Sequence, residues 1–138
     1  MRVEFYVLPS QDNADRLRAA CRLAVKAWRA NWPTIIRCAD EAEAETVNQL
    51  LWTFRSDCFI PRDLITENPQ SPVLIASDHS LPNNQGLLIS LHPTPYAEPN
   101  HFSRIIEIVN QAPNTLQQCR KNFVHYRKLQ LNPQRVEL

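Results

Sequence analysis

The side chains best suited to chemistry are scattered along this chain of 138 residues. Its four cysteines, Cys21, Cys38, Cys58 and Cys119, form no CxxC pair, and no histidine stands at a metal-ligand interval from any of them. Each reads as a small buried hydrophobe rather than a ligand or nucleophile. His79, His92, His101 and His125 make no HExxH or paired spacing, fall mostly in expected loops, and read as surface residues. Gly86 is the only glycine. Neither a GxGxxG turn nor a GxxxxGK phosphate cradle can therefore be built, because both need a backbone approach that side chains block. No Ser/His/Asp or paired-carboxylate spacing takes their place. The pattern argues against nucleotide-dependent or nucleophilic catalysis and leads us to expect neither metal nor cofactor.

Two stretches concentrate side chains of another kind. Between Leu116 and Leu131 the chain carries Arg120, Lys121, Arg127 and Lys128 and no acidic residue. On a helix turning about 100° per residue, Arg120, Val124 and Arg127 share one face, and Leu116 and Phe123 lie at its edge beside a Cys119/Tyr126 core stripe. This could be a solvated basic face flanking a buried stripe. The sharper reading is a small apolar pocket with an arginine at its rim, suited to a peptide ending in an apolar side chain and a carboxylate. The second stretch is LLWTFRSDCFIPRD, residues 50–63, in which Trp52, Phe54, Phe59, Ile60 and Pro61 stand among Arg55, Ser56 and Asp57. Such a sequence makes either a core corner or a surface that another protein covers.

The elements that must hold these side chains follow from hydrophobic period. Residues 2–8 alternate as a first strand, and from near Asp12 a helix places Leu17, Ala20, Cys21, Ala24 and Trp28 on one face, stopping near Pro33. TIIRC, residues 34–38, is a short β-branched run. Asp40 then has the position and chemistry of an N-cap, with Glu41 and Glu43 in the positive first turn of a helix continued by Val47, Leu50, Leu51 and Phe54. PVLIAS (72–77), LLISL (87–91) and RIIEIV (104–109) read as buried strands, and a last helix runs from Pro113 to about Leu129. The order predicts an α/β fold, a three-layer α/β/α sandwich with a largely parallel sheet of about five strands. Seven of the eleven prolines fall between Pro61 and Pro99 and mark restricted loops.

Composition agrees with a globular chain. Hydrophobic residues make up 43% and charged residues 21%, with a formal net charge of +1. The length fits one domain spanning residues 1–138, without repeat or linker. No apolar run approaches the roughly 20 residues of a membrane span. Met1-Arg2 leads directly into VEFYVL rather than into a signal-like segment, so the expected location is the cytoplasm.

Read end to end, the chain resembles the chi subunit family of bacterial DNA polymerase III. The likeness rests on VEFYVL, the first helix with Trp28, VNQLLWTF followed by FIP, then PVLI, LLISL, FSRIIEIV and CRKNFVHYR, in matching order and spacing. It implies a non-catalytic adaptor of the clamp-loader complex, pairing with the psi subunit and binding the acidic C-terminal tail of single-stranded DNA-binding protein. Trp52, Phe59, Ile60 and Pro61 match the family signature that faces psi, although Trp52 also continues the helix and could equally be core. Arg120 and Phe123 match the arginine and aromatic positions of the tail site, with Val124 and Arg127 beside them. Leu116 and Val124 stand where the family pattern has lysines, leaving the electrostatic part weaker or supplied by Lys121, Arg127 and Lys128. Gln130 replaces a glycine after YR, Asn48 an aspartate before LW, and Arg62 a histidine after FIP. Two other classes stay open: an α/β nucleotide-binding enzyme, which would need convergent polar groups at the strand C-termini, and a direct nucleic-acid binder using the basic helix.

Overall fold

The computed structural model describes residues 1–54, 61–65, 67–68, 70–77, 81–83 and 85–138, the side chain of Phe54 excepted. Phe59 and Ile60, like Cys58 and His79, lie outside the described residues. The elements run β1 (Arg2–Val7), α1 (Asn13–Arg29), β2 (Thr34–Arg37), α2 (Glu41–Phe54), β3 (Arg62–Leu64), β4 (Val73–Ala76), β5 (Leu87–Ser90), β6 (Arg104–Val109), α3 (Pro113–Lys128) and β7 (Gln134–Glu137).

Local chemistry sets the helix ends. Asp12 caps α1 by accepting from the Ala14 amide at 3.0 Å. Asp40 accepts from the Glu43 amide at 2.8 Å, and the Glu43 carboxylate reaches back to the Ala39 amide at 2.9 Å. Two of the exposed amides at the start of α2 are thereby satisfied. At the far end of α1, Trp32 N donates to Ala27 O and Asn31 N to Trp28 O, with Asn31 at φ 62°. The end of α3 repeats this pattern, Leu131 N to Tyr126 O and Gln130 N to Arg127 O, with Gln130 at φ 62°. Both are left-handed terminators, a conformation that glycine adopts at least cost. Gly86 itself is required by close approach: a Cβ there would lie 2.1 Å from the Pro33 carbonyl oxygen, against which β5 begins.

The strands form one parallel sheet in the order β3-β4-β2-β5-β6-β1-β7. TIIR, VLIA and LLIS are buried at every residue, as continuous apolar runs should be when both sheet faces are covered. On one face, α1 and α2 pack Leu17, Cys21, Ala24, Val47 and Leu51 against Ile36, Ile75, Ile89 and Ile106. On the other, α3 sets Tyr126 against Phe5, Ile105 and Val109, and the β5–β6 connection adds Tyr96 and Phe102. The expected α/β/α layering is present.

Among the described residues, seven strands replace the five expected. The additional β3 and β7 are edge strands reading RDL and QRVE, so neither carries the apolar run that marks a buried strand. The histidine expectation also needs correction. His101 is half-buried, its Nδ1 lying 3.1 Å from the Leu81 carbonyl and its Nε2 2.9 Å from the Glu98 carboxylate, so it ties two loops together. His92 is half-buried as well, whereas His125 is exposed as expected.

Because Gln130 holds a left-handed backbone with a side chain attached, Gln130→Gly is expected to stabilise the chain by about 1 kcal/mol, raising its melting temperature by about 3 °C. Thermal denaturation of the two proteins checks this, and a lowered melting temperature would contradict it.

Candidate functional site

The basic helix is seated by a buried polar knot. Glu107, midway along β6, accepts hydrogen bonds from Asn122 Nδ2 at 3.0 Å and from the Tyr126 hydroxyl at 2.8 Å. Asn122 also donates to the Pro93 carbonyl at 3.0 Å. Burial pushes the Glu107 carboxyl above its ordinary range, and the Asn122 and Tyr126 bonds draw it partly back. Burial, reinforced by Glu107, likewise raises the Tyr126 phenol. These contacts fix the rotation of α3 about its own axis, and therefore which residues face outward.

A groove of about 350 Å³ opens between α3 and the neighbouring sheet edge. Its floor is apolar: Phe5 and Val7 from β1, Val109 from β6, and Cys119 of α3. Phe123 forms one wall, its ring centroid 5.4 Å from that of Phe5. Leu116 and Val124 extend the apolar lining, Val124 remaining 48% exposed. Arg120 and Arg135, the latter from β7, supply the cations. Burial raises the Cys119 thiol and makes it a poor nucleophile at neutral pH. Cys21 is pushed up to about 12, and Cys38 also rises, both chiefly through burial.

A second feature lies at the other end of the sheet order. Trp52, near the end of α2, is 57% exposed. The Arg62 guanidinium stacks 4.0 Å from its ring centroid and steadies the indole at the surface. Arg62 opens β3 at one sheet edge and Arg135 lies on β7 at the other. Six inter-strand spacings separate these edges, on the order of 29 Å at about 4.8 Å each.

Another cavity, of about 160 Å³, is lined by residues that include Arg16, Ser90, Glu107 and Asn122. Ser90 Oγ is buried without a hydrogen-bond partner among the described residues, whereas the charged groups beside it are held within the chain. Arg16 donates to the Ile108 and Leu91 carbonyls at 3.0 and 2.9 Å, and Glu107 is held as described above.

A family model described as "DNA polymerase III chi subunit, HolC" matches residues 1–134. The chain belongs to the DNA polymerase III chi subunit family. It is 42% identical to the DNA polymerase III subunit chi of Pseudomonas aeruginosa over 128 residues, covering 92% of this chain and 89% of that protein. It is 29% identical to the Escherichia coli subunit chi over 131 residues, covering 89% and 88% respectively. The C-terminal domain of the DEAD-box protein Dbp5 superposes with a TM-score of 0.64 at 13% identity, covering 98% of this chain and 90% of that one, a likeness of fold alone. Family membership makes the chain a DNA polymerase III subunit concerned with DNA replication. No helix among the described residues is long and apolar enough to cross a membrane.

In this chi-family chain the structure brings Arg120, Phe123, Val124 and Leu116 to one groove. Arg127 is exposed farther along α3, outside the groove lining. Trp52 is not core, and Pro61 is half-buried. Sequence reasoning missed Arg135, because QRVE shows no apolar run, and Asn122, because a polar helical residue gives no sign that it points inward. Phe5 and Val7 were visible only as alternate residues of VEFYVL.

The buried knot gives a pH signature. Unfolded Glu107 ionises near about 4.3, whereas in the folded chain it holds its proton to higher pH. Ionisation therefore opposes folding as pH rises from the unfolded value through the folded one, and the cost is constant above that window. Glu107→Gln keeps an acceptor for Asn122 without the charge. Urea denaturation across pH is expected to show the wild type losing stability relative to Glu107→Gln over this window; parallel profiles would contradict it.

Proposed function

We propose that this chain is a non-catalytic, cytoplasmic accessory subunit of the DNA polymerase III holoenzyme, acting with the clamp loader. It joins the psi subunit to the acidic C-terminal tail of single-stranded DNA-binding protein and contacts nucleic acid only indirectly. In this reading residues 1–138 form a single chi-like domain. The observation that carries it is the α3 groove: an apolar floor able to take a terminal ring, with the Arg120 guanidinium positioned to meet a carboxylate. Phe123, Val124 and Arg127 complete the tail surface. At the opposite sheet edge, Trp52 provides the aromatic anchor for psi, joined by Phe59, Ile60 and Pro61 on the family resemblance. The distance between the edges lets both partners bind at once. The enzyme reading is less favoured, because Arg16, Glu107 and Asn122 of the 160 Å³ cavity are already held by partners within the chain.

Titration of a fluorescent acidic peptide ending in phenylalanine tests the tail site. Arg120→Ala is expected to weaken binding about tenfold, the worth of one charge-assisted pair of about 1.5 kcal/mol. Added salt should weaken the wild type, since exposed charges are screened within about 8 to 10 Å at physiological ionic strength. Equal affinity of mutant and wild type would place the tail elsewhere.

The psi surface has its own test. Trp52→Ala should lose psi in a pull-down, truncation of such an anchor costing about 2 kcal/mol or more, while its far-UV circular dichroism is unchanged. Full retention of psi would remove Trp52 from the interface.

A further inference from the structure

Strand β7 brings to the α3 groove an arginine, Arg135, that is ion-paired to Glu137 on the same strand. Arg135 is in register with Phe5, and Glu137 with Val7, across the parallel β1–β7 pairing. In-register partners on neighbouring strands project to the same sheet face, and the face of Phe5 is the one on which Phe123 packs. Arg135 accordingly lines the groove with Phe5 and Val7 while Arg120 enters it from α3. Arg135 Nε donates to Glu137 Oε1 at 2.6 Å, and the two side chains are 61% and 66% exposed. The contact engages Nε, so a carboxylate docking on that side of the guanidinium meets Glu137 already in place. An exposed pair of this kind contributes little to stability and exchanges readily.

We propose that Arg135 is a second carboxylate-binding cation of the groove, and that Glu137 occupies it as a built-in competitor which an acidic peptide displaces. The proposal rests on the reading that this groove takes the acidic tail, and it specifies how. Leu116 and Val124 give α3 an apolar wall at positions where a cation could have stood, so the second positive charge comes from the strand. The two guanidiniums reach the same region of the groove: burial and Glu107 raise the Cys119 thiol, and Arg135 and Arg120 both act to lower it. An acidic peptide with a terminal apolar ring then meets a guanidinium on either wall, one from the helix and one from the strand. Glu137 sets the threshold, because a single weak carboxylate is displaced only by a ligand presenting several negative charges or a better-placed one. The groove thereby discriminates acidic tails from merely apolar ones.

The test uses the full chain and a fluorescein-labelled acidic peptide ending in phenylalanine with a free carboxylate. It is titrated into wild type, Arg135→Gln, Glu137→Gln, the double variant, Arg120→Ala, and Lys26→Gln on the opposite face as a control for net charge. Arg135→Gln is expected to weaken binding about fivefold and Glu137→Gln to tighten it about twofold, within the range of exposed pairs. Arg135→Gln should cost more in the Glu137→Gln background than in the wild type, because removing the competitor exposes the full contribution of the guanidinium. Both side chains are exposed, and unchanged far-UV circular dichroism will verify that the variants fold. If Arg120→Ala weakens binding while Arg135→Gln does no more than Lys26→Gln, the strand cation is overturned and the tail reading stands. If Arg135→Gln weakens binding but Glu137→Gln does not tighten it, the competitor role is overturned. If the wild type does not bind the peptide, both fail together.

Discussion

Glu107 accepts from Asn122 and Tyr126 under the middle of α3, and this buried carboxylate decides what the helix shows to solvent. A buried carboxyl that lost these partners would carry an uncompensated desolvation cost, so α3 cannot roll on the sheet without losing them. With Tyr126 fully buried and Phe123 packed on Phe5, the outward arc is left to Arg120 and Val124. The groove is thus a consequence of a polar contact in the core, and the apolar packing around it supplies area rather than orientation.

The second constraint is sheet order. Placing β3 and β7 at opposite edges puts the Trp52–Arg62 stack at one end of the sheet and the Arg120–Arg135 groove, which spans β6, β1 and β7, at the other. The α1/α2 layer covers one face and α3 the other. The proposed joining of two partners needs surfaces that do not compete for space, and a doubly covered parallel sheet meets that need with few residues. Balanced overall charge is compatible with this, because the acidic start of α2 and the basic α3 are local features.

Much of this was legible in the sequence where one physical signal dominated. Asp40 announced its helix through cap chemistry, TIIR announced a strand through its β-branched residues, and VLIA and LLIS announced buried strands through apolar runs. The helical period of α3 placed Arg120 and Val124 on one face and Tyr126 in the core. The edges were not legible: RDL and QRVE are short and polar, and a strand with one paired side needs little apolar content. With β7 unseen, Arg135 could not be assigned to the groove. Asn122 was hidden for a related reason, since its inward direction depends on Glu107, fifteen residues earlier on another element. Trp52 stood between core and surface until β3 placed Arg62 against its ring.

The claim that two separated surfaces work together is tested most directly by measuring the affinity of the acidic tail peptide for this chain, free and saturated with psi. Equal affinity in both states is expected, with a ternary complex containing all three components. Displacement of the peptide by psi would contradict it.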